Sequence, residues 1–197
     1  MRVLQFDSEM IADPSGIQGS AEAVLQAQEP QPIVVVPSMG SSTETLLKAG
    51  QRSAHQDVVL ASTLAEGSRT YHMQVAEQIT STVWQETKRS LSNLFEEITD
   101  LLKGLYLLGE LSPRSEKVLQ FYSEGLAATI LAQALKEKGC ASQCLFHREL
   151  FVLQVDQPQQ TVLGTLSDLQ QEADSLLAEK TVPVIPLSLA SMNLDLG

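Results

Sequence analysis

Positive charge is scarce in this sequence. Lysine and arginine number 13 against 24 aspartates and glutamates, a net charge of −11 over 197 residues. A nucleic-acid binder needs a basic footprint to displace counterions from phosphates, so that class is excluded. The surplus carboxylates are spread along helical segments and read as a solvated surface. Cysteine is almost missing. Cys140 and Cys144 lie close together, and even with His147 nearby they leave a tetrahedral zinc site one ligand short. A buried or half-buried pair of thiols in a reducing compartment is the expectation. No run approaches the ~20 apolar residues that a spanning helix needs. The opening Met1-Arg2-Val3-Leu4-Gln5-Phe6 passes directly into Asp7 and lacks the layout of a signal peptide. These absences predict a cytoplasmic protein with neither nucleic acid nor membrane as a partner. Internal repeats and low-complexity segments are also lacking.

What is present is the composition of a globular domain, 43% apolar with 5% aromatics. The length suits one domain across 1–197. Residues 2–6 are short, apolar and β-prone. Asp13-Pro14-Ser15-Gly16 is turn chemistry, and 19–28 has helical spacing up to the proline pair in Glu29-Pro30-Gln31-Pro32. Ile33-Val34-Val35-Val36 is a continuous β-branched run, as in a parallel strand buried on both faces. Strand, helix and strand in this order make a βαβ unit, which builds a parallel sheet with helices on its faces.

A helix is predicted over 43–50. Leu91, Leu94, Phe95, Ile98, Leu101, Leu102 and Leu105 repeat at three and four, one apolar face for a core or a subunit interface. Trp84 is read the same way. Ser112-Pro113 starts another helix, with serine as cap and proline where its missing N–H costs nothing. Gly139 is placed to end it. Strands are predicted at 143–146 and 150–155, and a helix at 165–179. A last strand at 182–187 contains Pro183 and Pro186, which predicts an irregular or edge position.

Three segments, in order, resemble the aspartokinases. The first is Met1-Arg2-Val3-Leu4-Gln5-Phe6-Asp7-Ser8-Glu9-Met10, where that family has its opening strand and Lys-Phe-Gly-Gly-Thr-Ser. The second is Val34-Val35-Val36-Pro37-Ser38-Met39-Gly40 with Thr43-Glu44-Thr45-Leu46-Leu47 after it, similar to a strand, Ser-Ala-Met-Gly and a helix start. The third runs from Leu101 to Arg114 and on into Phe121-Tyr122-Ser123-Glu124-Gly125-Leu126-Ala127-Ala128, against Ser-Phe-Gly-Glu-Arg-Leu-Ser-Ala. The resemblance implies the α/β amino-acid-kinase fold, a three-layer αβα sandwich around a mainly parallel sheet. It implies a truncated form, the nucleotide lobe and regulatory domains having no counterpart before Gly197.

The pattern departs at the residues that would carry chemistry. Phosphoryl transfer is positioning and charge stabilisation. The family's opening lysine is Gln5 here, and its two glycines are Asp7 and Ser8. Glu9 stands where the family has threonine. Two carboxylates a few ångströms from a phosphate repel it by roughly 1–4 kcal/mol, depending on the effective dielectric. In the acceptor motif Glu124 is kept. The arginine suited to a substrate carboxylate is Gly125, and the serine is Ala127. Pro183-Val184-Ile185-Pro186-Leu187-Ser188 keeps a strand of the family but not the glycine that follows it.

Among the remaining polar groups, Ser38, Gly40, Ser41 and Thr43 form a loop at a helix N-terminus. It lacks the spacing and the lysine of a P-loop. With Glu124 it is the candidate for residual ligand binding. His55, His72 and His147 are read as surface or capping residues, with no nucleophile-elbow motif to support a triad. The expectation is a catalytically inactive binding or regulatory module, with no cofactor, working as a homodimer or with a partner such as a complete kinase. The alternative is a phosphotransferase with a carboxyl acceptor, of altered specificity or needing a second chain, using Mg-ATP. A third possibility is a fragment of a longer protein.

Overall fold

The computed structural model describes residues 2–27, 29–146 and 160–191, with side chains from 169 onward in the last stretch. The strand predicted at 150–155, His147 and the tail from 192 lie outside the described residues. Four strands form one sheet: β1 (Arg2–Gln5), β2 (Pro32–Val36), β3 (Ser142–Cys144) and β4 (Val182–Pro186), in spatial order β1-β2-β4-β3. All three pairings are parallel.

The helices are α1 (Pro14–Gln26), α2 (Ser42–Ala54), α3 (Val58–Ile79), α4 (Trp84–Leu108), α5 (Pro113–Glu137), α6 (Gln160–Ala178) and the short α7 (Leu187–Ala190). Strand alternation divides the core. Val34, Val36, Val182 and Val184 pack with residues of α1 to α5. Ile33, Val35 and Ile185 pack with Leu169, Ala173 and Leu176 of α6. Helices therefore cover both faces of the sheet, as a parallel sheet requires.

β4 corrects the expectation of an edge strand. It lies between β2 and β3, in spite of its two prolines. The Val182 N–H donates to the Ala141 carbonyl (2.8 Å), and the Val184 carbonyl accepts from the Leu145 N–H (2.9 Å). Val182 and Val184 thus turn their polar groups to β3, and by alternation Pro183 turns to β2 and Pro186 to β3. Pairing with β2 begins at Val34↔Val184, after Pro183, and pairing with β3 ends at Cys144↔Val184, before Pro186. Neither missing N–H interrupts a ladder.

α5 is the central helix. Every residue from Phe121 to Leu135 is buried. The Ser112 hydroxyl accepts from the Ser115 N–H (3.2 Å) to cap its start, with Pro113 at the first helical position. Gly139, at φ 78°, closes its end: the Cys140 N–H donates to the Leu135 carbonyl and the Gly139 N–H to Lys136, both at 2.9 Å. The stripe predicted on α4 belongs to the core, with Leu91, Leu94, Phe95, Ile98, Leu102 and Leu105 all buried.

Candidate functional site

A parallel sheet delivers the carboxyl ends of its strands to one edge, where ligands of open α/β folds bind. Most of the candidate residues gather there. β1 leaves the sheet at the exposed Gln5, and the Phe6 N–H still bonds to the Val35 carbonyl (3.3 Å). Asp7 and Glu9 are exposed. The Asp7 carbonyl accepts from the Met10 N–H (3.0 Å), which closes a turn. The next loop leaves β2 through the buried Ser38 and Met39. The Gly40 N–H donates to the Ser8 carbonyl (3.2 Å), tying the two loops together. Ser41 is exposed and precedes α2 without capping it through its side chain.

The α2 start is anchored to α5. Thr43 Oγ1 lies 2.7 Å from Ser123 Oγ, and that serine donates to the Gln120 carbonyl (2.7 Å). Glu124 is 2% exposed. Its Oε2 accepts from the Ser188 N–H (2.7 Å), and its Oε1 accepts from the Ser188 hydroxyl (2.9 Å) and the Gln120 amide (3.0 Å). Burial pushes this carboxyl above its ordinary range, against the pull of those three donors. Glu124 thus joins α5 to the exit of β4.

At the next residue the absence of a side chain has a use. A Cβ on Gly125 would lie 2.3 Å from Cε2 of Phe146. The Phe146 ring covers this point and stacks on Phe121, with centroids 4.4 Å apart and planes at 15°. Tyr122 adds a tilted contact at 5.6 Å. The Phe146 ring therefore occupies the position where any side chain at 125 would begin. Ala127 is 1% exposed and part of the core.

His72 is a correction: it is fully buried rather than a surface residue. Its Nδ1–H donates to the Ser68 carbonyl (2.7 Å), which leaves Nε2 to accept from the Ser42 hydroxyl (3.2 Å). Burial lowers its pKa to about 4, against the opposing Ser68 bond. An imidazole that resists protonation this strongly is a poor general base, so the Ser42–His72 pair is a structural tie between α2 and α3. Cys140 and Cys144 are free thiols. Cys144 accepts a bond from Thr129 (3.8 Å), and burial pushes its thiol up to about 12, far from a reactive thiolate. Among the described residues, no group of three or more His, Cys, Asp or Glu is placed to hold a metal ion. No lysine or arginine occurs in 5–9 or 38–45 to meet a phosphate.

No family model matches the chain. It is 27% identical over 139 residues to aspartokinase 1, chloroplastic, of Arabidopsis thaliana, which covers 70% of this chain and 24% of that protein. Aspartokinase 3, chloroplastic, of the same plant gives the same identity and coverage. The fold matches the crystal structure of E. coli aspartokinase III in complex with lysine and aspartate, with a TM-score of 0.70 and 17% identity. That match covers 94% of this chain and 40% of the other. The same enzyme with aspartate and ADP gives a TM-score of 0.69 and 20% identity, at the same coverage.

The chain is aspartokinase-like. It spans about a quarter of the length of the curated relatives it matches. The residues that follow β1 and β2 and the Glu124 segment of α5 fall at one end of the sheet. Two participants carried no signal in the sequence. Phe146 comes two residues after the end of β3 without a motif, and Ser188 stands out only because Glu124 reaches it. No helix among the described residues is long and apolar enough to cross a membrane.

Proposed function

We propose that this chain is a non-catalytic aspartokinase-like module of one domain that acts by association, as a homodimer or with a partner such as a complete kinase. The observation that carries this reading is Phe146 lying on Gly125. An acceptor carboxylate needs a cation to receive it, and here a phenyl ring occupies the position where an arginine side chain at 125 would begin. The first loop supports the same reading, with Gln5 for the ammonium and Asp7 and Glu9 facing solvent at the strand exit. These groups do not suit a triphosphate, so no step is assigned to Mg-ATP. The two free thiols suit a reducing cytoplasm.

Calorimetric titration of the whole chain with Mg-ATP, and then with aspartate, tests this. The expected result is no heat of binding for either. Tight binding of Mg-ATP would overturn the reading and restore a phosphotransferase with a carboxyl acceptor, of altered specificity or completed by a second chain.

A further inference from the structure

β1 lies at one side of the sheet, and among the described residues it pairs only with β2. The Phe6 N–H donates to the Val35 carbonyl, so the strand meets β2 through Phe6 and, by alternation, through Leu4. The N–H and C=O groups of Val3 and Gln5 are thereby directed outward. Natural proteins blunt such edges by shortness, proline, lysine or a bulge. The opposite edge, β3, is blunted by shortness, with three residues. β1 keeps its pairing from Arg2 through Phe6 and contains neither proline nor lysine. Its side chains leave apolar surface on both faces. Val3 is half-buried against the α6 side of the core, and Leu4 is half-buried against the side of α1 to α5. A further strand would cover both and extend the two apolar layers.

We propose that this edge takes up an extended segment of a different polypeptide as a fifth strand. The proposal rests on the reading of the chain as a module that acts by association, and it names the surface and the chemistry of the partner.

Charge selects the segment. Arg2 is exposed at the start of β1, and Asp7 and Glu9 are exposed just after its end. None of the three is held in an ion pair among the described residues. The fitting segment has an acidic residue beside Arg2, apolar residues beside Val3 and Leu4, and a basic residue beside Asp7. It runs parallel to β1, as all three existing pairings do. Main-chain hydrogen bonds supply the affinity and the flanking charges fix the register. The same charges disfavour a second copy of β1. Set about a two-fold axis, two such strands would place two arginines against four carboxylates (Arg2, Asp7 and Glu9 from each chain), between molecules that each carry −11.

Titration of the full chain with the peptide Ser-Glu-Val-Leu-Val-Thr-Lys-Ser tests this, read by fluorescence anisotropy and by amide hydrogen exchange. The expected result is saturable binding that slows exchange at Val3 and Gln5 and leaves Leu4, already paired to β2, unchanged. N-methylation at alternate residues of the peptide separates its two edges. On one set of amides it is expected to weaken binding about tenfold or more, and on the other set to leave binding intact. Exchanging Glu and Lys in the peptide is also expected to weaken binding. A peptide that does not bind overturns the proposal. So does binding indifferent to the methylated edge or to the order of the charges. Protection of Val3 and Gln5 that grows with protein concentration in the absence of peptide overturns it too, by assigning the edge to a second copy. Mg-ATP titration of the same samples keeps the two readings apart. Nucleotide binding would overturn the non-catalytic reading and leave the strand edge standing, whereas an inert peptide would remove the edge and leave that reading intact.

Discussion

Position 125 shows how much one missing side chain can decide. Glycine there lets the Phe146 ring approach α5 more closely than any Cβ allows. Gly125→Arg must push the ring off Phe121, and overpacking of this kind costs about 1–3 kcal/mol. The loss is expected as a lower urea midpoint, and most of it should vanish when Phe146→Ala is added. An arginine accepted without loss in the wild-type background would mean that the ring moves aside freely. At this scale the sequence was partly legible. Substitution of the expected arginine and serine stood out against the aspartokinase pattern, but what filled the space came from a loop twenty residues away, which no local spacing reveals. His72 was misread for a related reason. A lone histidine reads as surface, and only the placement of α2 beside α3 supplies the Ser42 and Ser68 partners that make burial tolerable.

Between elements, the end of α5 holds the start of α4. The Glu137 carboxylate accepts from the Ser81 hydroxyl (2.7 Å), the Thr82 hydroxyl (2.6 Å) and the Thr82 and Val83 N–H groups (2.9 and 3.3 Å). It is a helix cap delivered from another helix, where a negative charge is favoured. The side-chain bonds from Thr82 and Ser81 lead in lowering its pKa from 4.5 to about 2. A carboxyl with a depressed folded-state pKa stabilises above its ordinary pKa, and that stabilisation fades as pH falls from about 4.5 towards 2. Acid titration of the thermal midpoint should therefore show a loss in this window that is smaller in Glu137→Gln. Equal acid sensitivity in the two proteins would remove the cap from the account.

Element reading from the sequence succeeded where burial left a periodic trace. The β-branched run of β2, the α4 stripe and the Ser112-Pro113 start of α5 all stand where their patterns place them. It failed at β4, because a proline rule speaks of a lost donor, and register alone decides whether that donor was needed. The exposure of Val59, Leu107 and Leu108 was missed because Val58-Val59-Leu60 and Tyr106-Leu107-Leu108 are contiguous apolar runs without helical period.

Taken whole, the molecule is two packed layers of helix sharing one thin sheet. β2 sends Val34 and Val36 to one side and Ile33 and Val35 to the other. Damage on one face should therefore be felt on both. Ile185 belongs to the α6 side, whereas Trp84 packs on the side of α1 to α5. Ile185→Ala should cost about 2–5 kcal/mol. The same fall in denaturation midpoint is expected from tryptophan fluorescence and from circular dichroism. Separated transitions would show that the layers unfold independently. The layered arrangement was legible early, since strand, helix and buried strand within the first 36 residues imply it.

The plug formed by Phe146 also bears on the chain's history. Because ring and glycine occupy each other's space, neither can change alone without a penalty: a side chain at 125 collides, and a smaller residue at 146 leaves a hole. A cationic side chain at this point would need two simultaneous replacements, so single steps from this sequence towards one carry a penalty.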